Sequence, residues 1–149
     1  MTKLESTLVG VAGEYLVAGE LTRRGYIASI SLRNSRGIDI IASSSEGTKS
    51  ISIQVKTNSS GNNRWMLNKK SEEFYSDNHF YIFVILNQPH ERPNYYIVPS
   101  TLVSSTIKRE HAEWLKGKSR NGKPRNDTSI RQFADKGDRY LEKWELLTI

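Results

Sequence analysis

Two neighbouring stretches decide the fold of this chain: Arg36-Gly-Ile-Asp-Ile-Ile-Ala-Ser43 and Lys49-Ser-Ile-Ser-Ile-Gln-Val-Lys-Thr57. Both are rich in β-branched residues, and a polar segment that ends at Gly47 separates them, which is typical of a β-hairpin. In the second stretch apolar and polar residues alternate, so Gln54 and Lys56 lie on one face of the strand and Val55 on the other. If the two strands pair, Asp39 lies beside Gln54 and Lys56.

A carboxylate, an amide oxygen and a lysine ammonium in one place suit a magnesium site with a group that activates water. Each residue also has an ordinary explanation. An acid at a strand end commonly forms a turn or a cap, and a lysine on the polar face of a strand is commonly solvated. The three residues together, with a carboxylate from the first helix, favour the catalytic interpretation.

The first helix is predicted over about residues 4–24, because apolar residues recur at helical spacing and Gly25 is a stop signal. The recurring residues are Leu4, Leu8, Val11, Tyr15 and Ala18. Glu14 falls on a mostly apolar stripe, so its carboxylate needs a partner, a metal or a shifted pKa, whereas Glu5 and Glu20 are expected to be solvated. A buried Glu14 paired with an arginine is the alternative. Gly10 and Gly13 predict close packing against this turn of the helix.

The length and composition of the chain exclude several classes of protein and of metal site. The chain has 149 residues, enough for one domain over residues 1–149, and it contains no cysteine, which excludes disulfides and cysteine-based zinc sites. The three histidines lack ligand spacing and are expected to be structural or surface residues. The longest apolar run, Tyr81 to Leu86, is far shorter than the roughly 20 residues that span a bilayer. With no signal-peptide pattern at the start, the expectation is a cytoplasmic protein that does not contact membranes.

Positive charge is concentrated in one segment. The net charge is +6, and residues 116–125 carry five basic residues and no acid. These residues are Lys116, Lys118, Arg120, Lys123 and Arg125. Glycines, a proline and asparagines predict a mobile loop over about residues 116–126, which would suit contact with a phosphate backbone. A loop that only keeps the protein in solution is the alternative.

Other residues add to this basic character or stay undecided. The residues expected to flank the entrance of the site, as supporting positive charges for nucleic-acid contact, are Arg33, Arg36, Arg64, Lys69 and Lys70. Trp65 either stacks on a base or holds its own loop in place, and the sequence does not choose between them. Tyr81, Phe83, Tyr95 and Tyr96 are expected to pack in the core and not to form an RNA-binding platform.

The rest of the chain predicts an α/β fold, with a central mixed β-sheet flanked by helices. Strands are expected over about residues 26–32, 79–86 and 94–99. Helical segments are expected near residues 70–77, over 100–105 and over 107–115, and short C-terminal helical elements over about 130–147.

The order Gly10-x-x-Gly13-Glu14, then Gly37-Ile38-Asp39, then Gln54-x-Lys56 resembles the PD-(D/E)XK nuclease superfamily, especially Holliday-junction resolvase-like and Mrr-type restriction nucleases. The resemblance covers roughly residues 8 to 100 and implies a restriction-endonuclease-like αβββαβ core. Two positions depart from the usual motif. Ile38 stands where a proline is usual, and Gln54 stands where an acid is usual.

The resemblance also implies a role for each motif residue. Asp39 would be the principal metal ligand, Gln54 a weaker ligand, and the Val55 carbonyl and Glu14 would complete the site. Lys56 would position or deprotonate the attacking water. The metal would be Mg²⁺ or Mn²⁺.

The expected function is therefore that of a metal-dependent endodeoxyribonuclease, an enzyme that hydrolyses DNA phosphodiester bonds. A homodimer, implied by the resemblance alone, would supply two active sites for paired cuts. Because the Gln54 amide brings no charge to a metal, the alternative is a catalytically weak or inactive nuclease-fold protein that binds nucleic acid or a protein partner. A small toxin nuclease is a more distant alternative. The sequence does not choose between DNA and RNA or among substrate structures.

Overall fold

The computed structural model describes residues 3–32 and 37–147. The elements are α1 (Ser6–Arg23), β1 (Ile27–Ile30), β2 (Ile40–Ser43), β3 (Ser50–Asn58), β4 (Arg64–Asn68), β5 (His79–Ile85), β6 (Asn94–Pro99), α2 (Ser100–Leu115) and β7 (Ile130–Ala134). Two short 3₁₀ helices cover Lys69–Glu72 and Trp144–Leu146. No helix in the described ranges has the length and apolar character needed to cross a membrane.

Five strands form a mixed sheet in the order β1-β2-β3-β5-β6. The pair β3–β5 is parallel, and the other three pairs are antiparallel. β5 is buried along its whole length, as expected for an apolar strand in the middle of a sheet that is covered on both faces. The predicted α/β class and mixed central sheet are confirmed.

The two faces of the sheet carry separate hydrophobic clusters. On one face α1 packs through Val17 and Leu21 against inward residues of β2, β3 and β5, and Trp144 joins this cluster from the C-terminal segment. On the other face α2 packs through Val103 and Ile107, together with a second, two-stranded antiparallel sheet of β4 and β7. The four aromatic residues expected in the core are all buried.

The connection between the parallel strands β3 and β5 differs from the expected helix. It consists of β4 and a single 3₁₀ turn at Lys69–Glu72, whereas a helical segment was predicted over residues 70–77. The two helical segments predicted on either side of residue 106 are one continuous helix, α2. Trp65 lies in β4 and is 3% exposed, and its indole N–H donates to the Val84 carbonyl oxygen at 3.0 Å. This tryptophan therefore stabilises the fold and is not available to stack on a base.

The C-terminal helical prediction is wrong for residues 130–134. This segment is β7, in which Arg131 and Phe133 point inward and pair with Leu67 and Trp65 of β4. The inward Arg131 breaks the apolar alternation that would have identified a strand, and its charge is matched by Glu72 at 2.5 Å. Only the 3₁₀ helix at Trp144–Leu146 is helical in the C-terminal region described.

The buried face of α1 also differs from the prediction. Leu4, Leu8 and Tyr15 are exposed, and the buried stripe runs through Val9, Gly13, Val17 and Leu21. Gly13 explains the difference, because a Cβ atom built there would lie 1.8 Å from the Thr57 side-chain oxygen. The helix approaches β3 most closely at a residue that has no side chain. A prediction based on the spacing of apolar residues does not count glycine, so it selected the wrong face of the helix. The close approach predicted near Gly13 is present, whereas a Cβ atom at Gly10 would have nothing within 4 Å.

Candidate active site

Asp39 is fixed to β3 by two hydrogen bonds. It directly precedes β2, and its main-chain N–H donates to the Ile53 carbonyl oxygen at 2.8 Å. Its carboxylate Oδ2 accepts from the Val55 main-chain N–H at 2.7 Å. The pairing of Ile40 with Ile53 places Asp39 next to Gln54 across the strand pair. The hairpin therefore brings together the acid and the strand that carries the amide and the lysine.

Gln54 and Lys56 lie on the face of β3 away from α1, and both are half-buried. Within the described residues neither the Gln54 amide nor the Lys56 ammonium forms a side-chain hydrogen bond or an ion pair, so both groups are available to a ligand. Gly37 closes over Gln54 with a φ of +59°, and a Cβ atom there would lie 3.1 Å from the Phe74 ring. This conformation and this contact explain why glycine stands two residues before Asp39.

Glu14 comes from the helix layer. It is half-buried and follows Gly13, whose contact with Thr57 brings this turn of α1 to the residue after Lys56. The most buried acid of α1 is instead Glu20, whose side chain is 6% exposed and lies 2.6 Å from the Arg92 guanidinium. The expectation that Glu20 is solvated is therefore wrong.

The donor set suits a hard cation. No group of three or more histidine, aspartate or glutamate residues that could hold a metal occurs in residues 3–32 and 37–147. A metal held at this strand pair would use the Asp39 carboxylate, the Gln54 amide oxygen and the Val55 carbonyl, which are all oxygen ligands. Glu14, the further ligand expected from the sequence, lies on α1. Mg²⁺ accepts such a set, because it is commonly bound by one or two carboxylates with waters and substrate phosphates.

A cavity of about 510 Å³ opens beside Gln54. Its lining residues are Gly37, Gln54, Asn68, Lys70, Ser71, Phe74 and Tyr81. Tyr81 pairs directly with Gln54 in the parallel β3–β5 register. Lys70, which the sequence predicts to flank the entrance of the site, lines this cavity. Phe74 and Tyr81 were not predicted as part of the site, because only the parallel pairing and the turn after β4 bring them to Gln54.

A buried histidine lies next to this row of residues. His79 is paired with Ser52, and its Nδ1 lies 2.7 Å from the Ser52 hydroxyl. Burial lowers the pKa of His79, although the Ser52 hydrogen bond and the Asp39 charge oppose that shift. The imidazole is therefore neutral at neutral pH. The sequence-based expectation of a structural histidine agrees with this environment.

The basic segment forms a tight turn after α2, in which the Ser119 N–H donates to the Lys123 carbonyl oxygen at 2.8 Å. Arg125 folds back on α2, where it donates to the Trp114 carbonyl oxygen at 2.6 Å and lies over the Trp114 ring. Lys116 pairs with Glu113 at 2.9 Å. Lys118, Arg120 and Lys123 form no ion pair within the described part of the chain. Arg33 and Arg36 lie outside the described residues.

The chain after this turn reaches the site region. Ser129, at the start of β7, accepts a hydrogen bond from the Lys69 N–H at 2.8 Å. Lys69 and the cavity-lining Lys70 follow β4 directly. The two segments thus meet at the Lys69–Lys70 turn beside Gln54. The acids of this surface are each paired, Glu72 with Arg131, Glu73 with Lys108 and Asp127 with His111.

The chain has an α/β fold with a mixed five-stranded sheet, a helix on each face and a hairpin that carries the acid. The chain is similar to the solved structure of the bacterial homing endonuclease I-Ssp6803I, with 14% identity, 97% of this chain and 92% of that chain covered, and a TM-score of 0.58. It also matches Hjc, a Holliday junction resolvase from Archaeoglobus fulgidus, with 14% identity, 85% and 84% coverage and a TM-score of 0.47. No protein-family model matches the sequence, and no curated protein is similar to it.

Proposed function

We propose that this protein is a metal-dependent endonuclease that hydrolyses phosphodiester bonds in DNA. The observation that carries the proposal is the Asp39 carboxylate, which the Val55 N–H holds at 2.7 Å on the strand that also presents Gln54 and Lys56. The similarity of the fold to that of a homing endonuclease supports the same reaction class.

Each residue then has a defined task. Asp39, Gln54, the Val55 carbonyl and Glu14 would hold Mg²⁺ or Mn²⁺. A bound divalent cation neutralises charge on the phosphate oxygens and lowers the pKa of water. Lys56 orients or deprotonates the attacking water and stabilises the charge that develops on the phosphate.

DNA is the proposed partner, and the basic turn supplies backbone contacts. Lys118, Arg120 and Lys123 are the exposed cations there without an internal ion pair in the described residues. Lys116 and Arg125 contribute charge from positions already bound to the protein, and Arg36 is assigned to the same surface from the sequence. Binding of these side chains releases cations that are condensed on the DNA. Because that release is less favourable at high salt, the affinity for DNA falls as the salt concentration rises.

A homodimer would place two active sites on one substrate. The exposed apolar side chains of α1, which include Leu8 and Tyr15, give a second copy a surface to pack against. The oligomeric state is measured by light scattering after size-exclusion chromatography, with Tyr15→Glu as the variant expected to dissociate the dimer.

The test of the nuclease activity compares wild type with Asp39→Asn and Lys56→Ala on linear, supercoiled, single-stranded and four-way-junction DNA. Each substrate is incubated with Mg²⁺, Mn²⁺ or a chelator. We expect metal-dependent cleavage by wild type and at least about a 10²-fold loss in each variant. Lys49→Ala is the matched control, because Lys49 is exposed and directly precedes β3. Equal cleavage by wild type and both site variants would contradict the proposal.

The second candidate function is a nuclease-fold protein that binds nucleic acid without cutting it. The observation that favours it is Gln54, a neutral amide at a position where a carboxylate would bring charge to the metal. In that case folded wild type binds DNA without cleaving it. Neutralising Lys118, Arg120 and Lys123 would then reduce both the affinity and its salt dependence.

A further inference from the structure

Tyr81 has a buried hydroxyl group that lacks a well-formed hydrogen bond within the described residues. The residue is 0% exposed, and within the described residues its hydroxyl oxygen has no hydrogen-bond partner at normal distance and angle, although the Ser71 side chain lies near enough to interact weakly with it. Buried polar groups are nearly always paired, because an unpaired one loses its hydration without compensation. A phenylalanine would fill the same space without this loss. The hydroxyl therefore calls for a partner that it acquires in another state of the site.

The ring of Tyr81 is held firmly in place. It stacks on Phe83 with ring centroids 5.4 Å apart, and His79 packs against it edge-on at 5.7 Å. The ring consequently has a fixed position, and Tyr81 belongs to the lining of the cavity beside Gln54. Burial raises the pKa of Tyr81; the Ser71 side chain opposes this shift and the Asp39 charge adds to it. The phenol is therefore protonated and can both donate and accept hydrogen bonds.

The side-chain amide of Gln54 also lacks a hydrogen-bond partner in the part of the chain that the structure describes. Its amide lines the same cavity and makes no hydrogen bond in residues 3–32 and 37–147. A carboxylate in this position would offer two equivalent oxygens to a metal. An amide offers one oxygen and one NH₂ group, which repels a cation. An amide ligand therefore has to be held with its oxygen toward the metal and its NH₂ group toward an acceptor.

We propose that Tyr81 is a positioning residue for Gln54, whose hydroxyl oxygen accepts a hydrogen bond from the Gln54 NH₂ group and so directs the amide oxygen toward the divalent cation. The inference rests on the proposed function, because the cation is the group toward which Gln54 is turned. It assigns Tyr81 no contact with substrate. It also accounts for the unpaired hydroxyl of Tyr81, which would accept a hydrogen bond from Gln54 when a divalent cation is bound.

The test is a double-mutant cycle of Tyr81→Phe and Gln54→Glu. Mn²⁺ binding is measured by calorimetry in the presence of a DNA duplex with non-hydrolysable linkages, and cleavage is measured on the unmodified duplex. In the wild-type background, which keeps Gln54, we expect Tyr81→Phe to weaken Mn²⁺ binding about 10-fold, as loss of a ligand-orienting partner does. In the Gln54→Glu background, Tyr81→Phe should change the Mn²⁺ affinity by less than about 2-fold. Either oxygen of a carboxylate can bind the metal, so the side chain needs no partner to orient it.

The thermal midpoint without metal separates this role from a structural one. Tyr81→Phe should raise the midpoint by about 3 °C, because an unpaired buried hydroxyl is removed. Tyr96→Phe is the matched control on the neighbouring strand, where the hydroxyl donates to Asp138 at 2.9 Å. That variant should lower the midpoint and leave Mn²⁺ binding and cleavage unchanged.

The outcomes are distinguishable. Wild-type Mn²⁺ binding that Tyr81→Phe leaves unchanged would overturn the role of Tyr81 and leave the nuclease proposal standing. An equal loss in the wild-type and Gln54→Glu backgrounds would show that Tyr81 acts independently of the amide and would also overturn the inference. A wild-type protein that binds no Mn²⁺ would overturn this inference and the proposed function together.

Discussion

Gly13 sets how closely the first helix approaches the strand that carries the site residues. A Cβ atom at this position would lie 1.8 Å from Thr57 Oγ1 and 2.8 Å from Thr57 Cβ. Gly13→Ala therefore pushes α1 away from β3 or displaces Thr57. We expect a loss of about 2 kcal/mol in the free energy of unfolding, measured by urea denaturation.

The matched control for this change is Gly10→Ala in the same helix. Gly10 is exposed and has nothing within 4 Å, so alanine there meets no neighbour and gains about 1 kcal/mol from helix propensity. The two glycines should thus respond with opposite signs. If Gly13→Ala were also stabilising, the close approach of the helix to Thr57 would be contradicted.

His79 gives a second residue-scale prediction, which concerns pH. Burial lowers its pKa below the ordinary value of 6.5. The unfolded chain therefore binds a proton at a pH where the folded chain does not, and stability falls as the pH drops from 6.5 toward the folded-state pKa. His79→Gln should reduce the slope of unfolding free energy against pH in that interval.

Urea titrations at several pH values between about 7 and about 5 measure this slope, since that interval brackets the ordinary histidine pKa. His90→Gln, at an exposed position in the turn before β6, is the control and should keep the wild-type slope. An unchanged slope in His79→Gln would mean that burial of this imidazole does not govern the acid sensitivity.

The alternation of residues predicted the neighbours of Asp39 correctly, because strand periodicity and a short hairpin are both local. Gln54 and Lys56 share a face in the structure as they do in the sequence pattern. Tyr81 was assigned to the core, and its ring does lie there. The sequence did not predict that Tyr81 lies next to Gln54, because this contact depends on the parallel pairing of β3 with β5, which no local sequence pattern indicates.

Among the elements, a buried ion pair joins β7 of the second sheet to the 3₁₀ turn that follows β4. Arg131 of β7 is 3% exposed in its side chain and lies 2.5 Å from Glu72 in the 3₁₀ turn after β4. Arg131→Ala leaves the Glu72 carboxylate largely buried without its partner. We expect a loss of about 3 kcal/mol in the free energy of unfolding.

An exposed pair nearby supplies the comparison. Lys108 and Glu73 lie 3.4 Å apart, with 63% and 70% of their side chains exposed. Lys108→Ala should change the unfolding free energy by less than about 0.5 kcal/mol, because solvent screens such pairs. Hydrogen exchange should also locate the Arg131→Ala effect in β4 and β7. Equal losses in the two variants would contradict the structural role of Arg131.

The elements that the sequence failed to predict share a physical cause. β4 and β7 each offer only two inward residues over five positions, and one of the four is an arginine. A pair of such short strands is specified by its docking onto Phe83 and Tyr96 and only weakly by its own pattern. α1 was predicted within two residues at its start and one at its end, but its buried face was missed because it passes through Gly13.

At the scale of the whole molecule, an ion-pair network ties the first helix to the C-terminal segment. Arg92, in the turn before β6, lies 2.6 Å from Glu20 of α1 and 2.9 Å from Glu142. Arg24 lies over the Trp144 ring at 4.4 Å. The residues paired with Arg92 are separated from it by 50 and 72 positions in the chain, so no local sequence pattern predicts these ion pairs. This is why Glu20 was expected to be solvated.

Glu20→Gln tests whether this network stabilises the fold. Burial raises the pKa of Glu20, but the Arg92 hydrogen bond and the charges of Arg92, Arg23 and Arg24 together hold it below its ordinary value of 4.5. The stabilisation is therefore complete above pH 4.5 and is lost as the pH falls toward the lower folded-state pKa. At neutral pH we expect the variant to lose about 2 kcal/mol, less than for a fully buried pair because Arg92 is half exposed.

The measurement is urea denaturation of wild type and Glu20→Gln from about pH 7 to about pH 3, with Glu145→Gln as an exposed control. The two stability curves should converge as the pH falls below 4.5, since protonation removes from wild type the charge that the variant already lacks. The control should run parallel to wild type throughout. A constant gap between wild type and Glu20→Gln at every pH would mean that the glutamine is disfavoured for its packing and that the charge network does not hold the two ends of the fold together.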